Sequence, residues 1–213
     1  MRIISVTLLV LAVLMSAAAY WYKSAAAKQT AIVEQTMLVR DYSPWEGGED
    51  AAVVLVEFFD PACGTCAQFY PLVKDLIKKY EGRLKVVLRY APLHQNSDIV
   101  VALLEALREQ SKFEQALEVL FENQNIWVKN HISQPELVAS LLRAGGDIDI
   151  NRALSVIDSE EVLRRVHQDI ADAKALGVTM TPEFFANGHR LETFGYENLV
   201  QLIEEEMRRA EEL

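Results

Sequence analysis

Ala52-Val53-Val54-Leu55-Val56-Glu57-Phe58-Phe59-Asp60-Pro61-Ala62-Cys63-Gly64-Thr65-Cys66 is the stretch that decides how this chain is read. Ala52 to Phe59 is apolar except for Glu57, the composition of a buried strand. From Cys66 to Tyr80 the period changes: Phe69, Leu72, Val73, Leu76, Ile77 and Tyr80 recur at helical spacing. Between strand and helix stand the chain's 2 cysteines, Cys63 and Cys66. Cys63 therefore falls at a helix N-terminus, where unpaired N–H groups and the helix dipole favour an anion. The thiolate is the nucleophile of disulfide exchange, and such a position lowers a cysteine pKa from about 8.5 to about 3.5–7.5. Cys66, one turn in, is expected to be less exposed and to act as the resolving thiol.

Other uses of the pair fit less well. A structural cross-link stabilises more as its loop lengthens, and this loop is nearly the shortest available. A closed zinc site needs about four ligands. The chain has no second C-x-x-C, and His94, His131, His167 and His189 are scattered. A redox-active Cys63–Cys66 disulfide is the preferred reading, with no metal ligands and no cofactor expected.

Leu84 to Tyr90 reads as a second strand, so strand, helix and strand imply a parallel pair with a right-handed crossover. Ser97 to Leu176 reads as helical throughout, with amphipathic segments at Ile99–Gln110, Phe113–Gln124, Glu136–Ala144 and Val162–Leu176. Ser133-Gln134-Pro135-Glu136 reads as a capping box, and Gly145 and Gly177 fall where helices stop. Glu183 to Ala186, the turn Asn187-Gly188 and His189 to Phe194 predict a hairpin. A last helix is expected from about Glu197 to Glu211. Glu46 to Asp50 reads as the turn that opens the domain, and Ser24 to Pro44 as a stalk.

With 213 residues and 51% hydrophobic content the chain is long enough for one core plus an insertion. Its net charge is -10; beyond residue 23 there are 19 basic and 31 acidic side chains, a balance of -12. That argues against a nucleic-acid partner, which requires a basic surface. Residues 1–22 read as a signal peptide or signal anchor. Arg2 precedes an uncharged run, and Ser16 to Ala19 supplies the small residues of a cleavage site. Alternatively Ile3 to Tyr22, 20 residues ending in Tyr20-Trp21-Tyr22, is long enough to span a bilayer. The anchor at residues 3–22 is preferred. Both readings put the domain outside the cytoplasm, in the periplasm or on the outer face of the membrane, where a C-x-x-C meets substrate disulfides.

Three segments together resemble the DsbA-like branch of the thioredoxin superfamily. They are Phe58 to Cys66, Arg89-Tyr90-Ala91-Pro92-Leu93, and Leu176-Gly177-Val178-Thr179-Met180-Thr181-Pro182-Glu183-Phe184-Phe185-Ala186-Asn187-Gly188. The resemblance covers roughly Gly47 to Met207 and implies an α/β fold, a thioredoxin fold with an inserted helical subdomain. The expected organisation is a linker or stalk at 23–46, a thioredoxin-like core at 47–97 and 177–213, and the insertion at 98–176.

By the same resemblance Pro182 is a cis-proline facing the dithiol, with the backbone of Thr181 turned outward to pair with an extended substrate. Glu57, a lone acid on a buried strand, should have a raised pKa, and the resemblance makes it the acid that takes and returns the proton of Cys66. Gly64 and Thr65 are the residues that tune the thiolate. Many strongly oxidising relatives carry a histidine between the cysteines, and its absence here argues against a very oxidising potential. His94, after the second strand, should emerge near the dithiol, either as a thiolate stabiliser or as a loop cap. Asp60 and Tyr90 are expected near the same edge, and Trp127 in the core or on the rim of a groove.

The leading expectation is an extracytoplasmic thiol:disulfide oxidoreductase acting on proteins with thiols or disulfides, served by a redox partner protein in or at the membrane. The direction of electron flow is open. Isomerisation ranks last, since only Ser24 to Pro44 is available for a dimerisation region. The competing expectation is a membrane-tethered binding module that captures Cu(I) through Cys63 and Cys66, or holds a client, without redox turnover. Met180 is the one further soft ligand placed nearby. A structural adaptor built on the insertion would leave the cysteines without a role.

Overall fold

The computed structural model describes residues 15–16, 20–22, 35–145 and 147–212. The chain divides into two units, Met1–Met37 and Leu38–Leu213. In the first, Tyr20, Trp21 and Tyr22 are exposed. The rest of the expected signal or anchor segment lies almost wholly outside the described residues. Among the described residues no helix is long and apolar enough to cross a membrane.

The second unit opens with β1 (Trp45–Gly47) and β2 (Val53–Phe59), followed by α1 (Gly64–Lys79) and β3 (Leu84–Tyr90). The insertion comes next: α2 (Ser97–Leu107), α3 (Phe113–Glu122), α4 (Gln124–Trp127), the strands β4 (Val128–Lys129) and β5 (Ile132–Ser133), then α5 (Pro135–Ala144), α6 (Ile150–Val156) and α7 (Glu160–Ala175). The chain closes with β6 (Glu183–Ala186), β7 (His189–Arg190) and α8 (Tyr196–Glu211). The main sheet has the order β1-β3-β2-β6-β7. β2 and β3 are parallel, with Val53 opposite Leu84 and Phe59 opposite Tyr90, so both strands end on one edge. β1, β6 and β7 each run antiparallel to their neighbours.

Both faces of β2 are buried, which is why its sequence does not alternate. Val53 and Leu55 pack with Phe69, Val73 and Leu76 of α1 and with Leu199 and Ile203 of α8. Val56 and Phe58 pack on the other face with Phe185, Leu38 and Ala173. A third cluster fills the insertion around Leu104, Leu120 and Trp127, and it reaches Phe59, Cys63 and Cys66. Burying each large apolar side chain contributes about 1.5–3 kcal/mol. The insertion is thus packed against the cysteines.

Four sequence-based expectations need correction. Trp45–Gly47, read as partly a turn, forms β1 on β3. Gly47 has φ +105°, and a Cβ there would collide with the Leu84 carbonyl oxygen, so the strand ends where only glycine fits. The expected stalk ends earlier than residue 46. Leu38 is buried, the Arg40 guanidinium donates to Asp172 at 2.8 Å, and the Tyr42 hydroxyl donates to Asp169 at 2.8 Å. Pairing with buried acids rather than an apolar face holds this segment, so its sequence lacks a period. The capping box does not form: Ser133 belongs to β5 and donates its N–H to Gln95 O at 3.0 Å, while α5 starts at Gln134 without a side-chain cap. Finally, the insertion is not wholly helical. β4 and β5 turn through Asn130 and His131, with φ 50° and 63°. The Asn187-Gly188 hairpin is present with φ 46° and 90°, although β7 covers only His189–Arg190.

Arg89 lies between the sheet and α7 and is fully buried. It is 2.9 Å from Asp169 and 2.7 Å from Asp172, and donates to Leu38 O at 2.7 Å. One buried guanidinium and one partly exposed guanidinium thus face two buried carboxylates.

Candidate active site

The loop that carries the first cysteine is organised by Asp60. This buried carboxylate accepts the N–H of Ala62 at 2.8 Å, and those of Leu93 and His94 at 2.7 and 2.8 Å. It also accepts the Ser97 hydroxyl. The Asp60 carbonyl accepts the N–H of Cys63 at 3.0 Å. One side chain thereby ties the end of β2 to the end of β3. Cys63 is then the N-cap of α1, with extended backbone (φ -79°, ψ 120°) and no acid in the first helical turn to oppose a negative sulfur.

Neither cysteine is in a disulfide, so the geometry is that of the reduced pair. Cys63 is 8% exposed and Cys66 0%, the order expected of an attacking and a resolving thiol. Cys63 is more covered than its chemistry suggested, because its Sγ lies 3.1 Å from the carbonyl oxygen of Thr181. The Thr181–Pro182 bond is cis. The Cys63 pKa is lowered to about 5. A hydrogen bond from Cys66 is the largest cause; burial opposes it, and the Thr181 side chain and the N–H groups of Cys66 and Thr65 add to it. The Cys66 thiol is pushed far above its ordinary value, first by burial, then by its bond to Cys63 and the negative charges of Glu57 and Cys63. The two sulfurs share one proton unequally, and Cys66 keeps it.

Glu57 sits on β2, buried, with its pKa pushed up to about 8 by burial and then by the negative charge on Cys63. It lines a cavity of about 60 Å³ together with Tyr70, Val73, Lys74 and Leu117. The Tyr70 hydroxyl is buried and bonds to no protein atom among the described residues. The cavity is large enough for water, and Glu57 and Tyr70 give water polar partners there.

The structure brings Cys63, Cys66, Thr181 and Pro182 together, with the charge of Cys63 raising Glu57 and that of Glu57 raising Cys66. Gly64 is exposed and Thr65 half-buried, with the Thr65 N–H supporting the thiolate. His94 instead holds the loop: its Nδ1 is 2.8 Å from Asp60, its ring stacks on His131 at 6.0 Å, and it is not among the groups acting on Cys63. Tyr90 is turned away, its hydroxyl donating to Glu105 at 2.9 Å. Trp127 is fully buried and donates Nε1–H to Leu120 O at 2.9 Å, so it is core rather than rim. Among the described residues no group of three or more His, Cys, Asp or Glu is placed to hold a metal. Sequence reasoning missed Gln124. Its Nε2 donates to Pro61 O at 2.8 Å and to Cys63 O at 3.0 Å. A lone glutamine between two helical segments carries no signal of this.

A mixed sheet that presents a C-x-x-C at a helix N-terminus, opposite a cis-proline, defines a thioredoxin-like dithiol protein. Residues 40–205 match the sequence profile of the family described as Thioredoxin. The chain belongs to that family and is a DsbA-like member of the thioredoxin superfamily. A thioredoxin-like oxidoreductase from Silicibacter pomeroyi DSS-3 is similar at 25% identity, with a TM-score of 0.69 over 82% of this chain and 97% of that one. Oxidised BdbD from Bacillus subtilis is similar at 25% identity, with a TM-score of 0.67 over 78% and 93%. Among curated proteins, the Na(+)/H(+) antiporter NhaA of Herminiimonas arsenicoxydans is 33% identical over 145 residues, which is 68% of this chain and 22% of that protein. The chain spans about a fifth of the length of such relatives.

Proposed function

We propose that the protein is an extracytoplasmic thiol:disulfide oxidoreductase that exchanges disulfides with protein substrates through Cys63 and Cys66. The observation that carries this reading is the asymmetry of the pair: an acidic Cys63 at a helix N-terminus beside a fully buried, proton-holding Cys66. In the oxidising direction a substrate thiolate attacks Cys63 Sγ of the Cys63–Cys66 disulfide. The S–S bond breaks, a mixed disulfide forms, and Cys66 leaves as a thiolate that takes a proton from Glu57. A second substrate thiolate then attacks the substrate sulfur. It releases Cys63 as a stabilised thiolate, and two electrons have passed from substrate to enzyme. Reduction runs the same steps backward, with Glu57 accepting the Cys66 proton. The Thr181 carbonyl accepts from the Cys63 thiol. A thiolate or a mixed disulfide has no such proton, so that carbonyl becomes free for the N–H of an extended substrate beside Cys63.

The Cys63 pKa of about 5 lies between values typical of a strong oxidant, about 3.5, and of a general reductant, about 7. It supports an intermediate potential, as does the absence of a histidine at residues 64 and 65. A placement outside the cytoplasm, with residues 3–22 as membrane anchor and a redox partner in the membrane, is supported by the uncharged N-terminal run. It is also supported by the use of the chain's only cysteines as an exchanging pair. The antiporter relatives add that this kind of sequence occurs within membrane proteins; their ion transport concerns proteins about five times as long. A Cu(I)-holding role is disfavoured, since it needs two thiolates and burial holds the Cys66 thiol far above its ordinary pKa. The test is a Cys66→Ala variant in cells. It is expected to accumulate mixed disulfides on Cys63 that identify the clients. Recovery of the variant with Cys63 unlinked from any protein thiol would contradict exchange with protein substrates.

A further inference from the structure

We propose that Gln124, reaching over from the helical insertion, is a positioning residue for Cys63: its carboxamide fixes the loop whose N–H groups hold the thiolate, and so sets how oxidising the pair is. This rests on the redox reading above. One amide nitrogen donates to two carbonyls of the nucleophile's loop, Pro61 O at 2.8 Å and Cys63 O at 3.0 Å. The reverse orientation would set the amide oxygen against two carbonyl oxygens, so the environment fixes which end faces the loop. The amide oxygen then lies toward Gly64, 3.7 Å from where a Cβ would stand. Gln124 is itself held in place. Asn123 Nδ2 donates to Val119 O at 2.8 Å, and buried Trp127 donates to Leu120 O at 2.9 Å.

The Cys63 carbonyl also accepts the N–H of Ala67 at 3.1 Å, the first bond of α1. A peptide unit is planar, so fixing the Cys63 carbonyl fixes the Gly64 N–H on the other side of the same bond. The following N–H groups, those of Thr65 and Cys66, stabilise the sulfur. The donors of Gln124 also offset the partial negative charge of two carbonyls beside that sulfur. A thiolate gains from this and a disulfide sulfur does not, so the interaction favours the reduced state and makes the disulfide more oxidising. The insertion therefore takes part in the chemistry through Gln124 as well as covering the site.

Two substitutions test this, read by thiolate absorbance during pH titration and by equilibrium with glutathione. Gln124→Glu keeps the shape but replaces the donors with a negative acceptor. The acid constant of Cys63 should fall about tenfold or more, roughly one pKa unit. The glutathione equilibrium should shift toward the Cys63–Cys66 disulfide by a comparable factor. Gln124→Met keeps the length without donors, and should shift both in the same direction by a smaller factor. A purely structural role would lower the melting temperature and leave both quantities alone. If the folded variants keep both within twofold of the parent, the proposal is wrong; if Gln124→Glu does not fold, Gln124→Met decides by the same criterion. The parent protein's own titration separates the two levels: an inert parent pair defeats the redox reading, whereas a reactive parent with unshifted variants defeats only the role of Gln124.

Discussion

Cys63 and Glu57 are shifted in opposite directions, and each shift has a signature in stability. Cys63 is depressed to about 5, so its ionisation stabilises the reduced fold above the ordinary thiol pKa of about 8.5 and loses that effect as pH falls to about 5. The stability advantage of the reduced over the oxidised protein should therefore shrink between pH 8.5 and 5 and be flat below, as measured by urea unfolding of both forms. Glu57 is raised to about 8, so the folded state loses stability as pH rises from about 4.5 to 8, because the unfolded chain ionises first. Glu57→Gln should accordingly be more stable than the parent by about 2–4 kcal/mol at pH 8, with no gain below pH 4.5. A gain independent of pH would show that Glu57 is not the buried titrating acid. The same variant should resolve mixed disulfides about 100-fold more slowly if Glu57 moves the Cys66 proton, measured by stopped-flow reduction of a preformed adduct. Glu57 was legible in the sequence because a single acid interrupts an apolar run. Gln124 was not, since its two partners are backbone carbonyls some sixty residues away.

The ion cluster between β3, α7 and the segment from Leu38 decides where the folded unit begins. Arg89 touches both Asp169 and Asp172 with all three buried, whereas Arg40 is partly exposed and shares Asp172 with Arg89 and Gln168. Removing Arg89 leaves buried Asp169 without a cationic partner and Asp172 with only the partly exposed Arg40. Arg89→Ala should cost about 3–5 kcal/mol, and Arg40→Ala about 1 kcal/mol, both read from urea midpoints at constant m. Similar losses from the two would contradict the division of roles. Elements with a strong period or a specific turn residue were legible: β2, α1, β3 and the Asn187-Gly188 hairpin. Those that were not are short or held by polar contacts. β1 and the β4–β5 pair span three residues or fewer per strand, too few for periodicity to register. The Ser133 capping pattern lost to strand pairing, because the Ser133 N–H found Gln95 O.

On the scale of the whole molecule, a thioredoxin-like sheet supplies the edge where β2 and β3 end together, Asp60 joins their loops, and the insertion packs its core against both cysteines. The fold class and the dithiol were readable because strand, C-x-x-C and helix follow one another directly in sequence. The meeting of residues 63 and 181 was expected only through the family resemblance, and the covering of the Cys63 sulfur by the Thr181 carbonyl was not expected at all. Every functional statement depends on Cys63 being a stabilised thiolate that bonds reversibly to Cys66. The most direct test is the equilibrium of the purified protein with a series of glutathione redox buffers. The account predicts complete, reversible conversion between dithiol and Cys63–Cys66 disulfide, at a potential between about -270 and about -120 mV. A pair that stays reduced, or stays oxidised, across that whole range would contradict it.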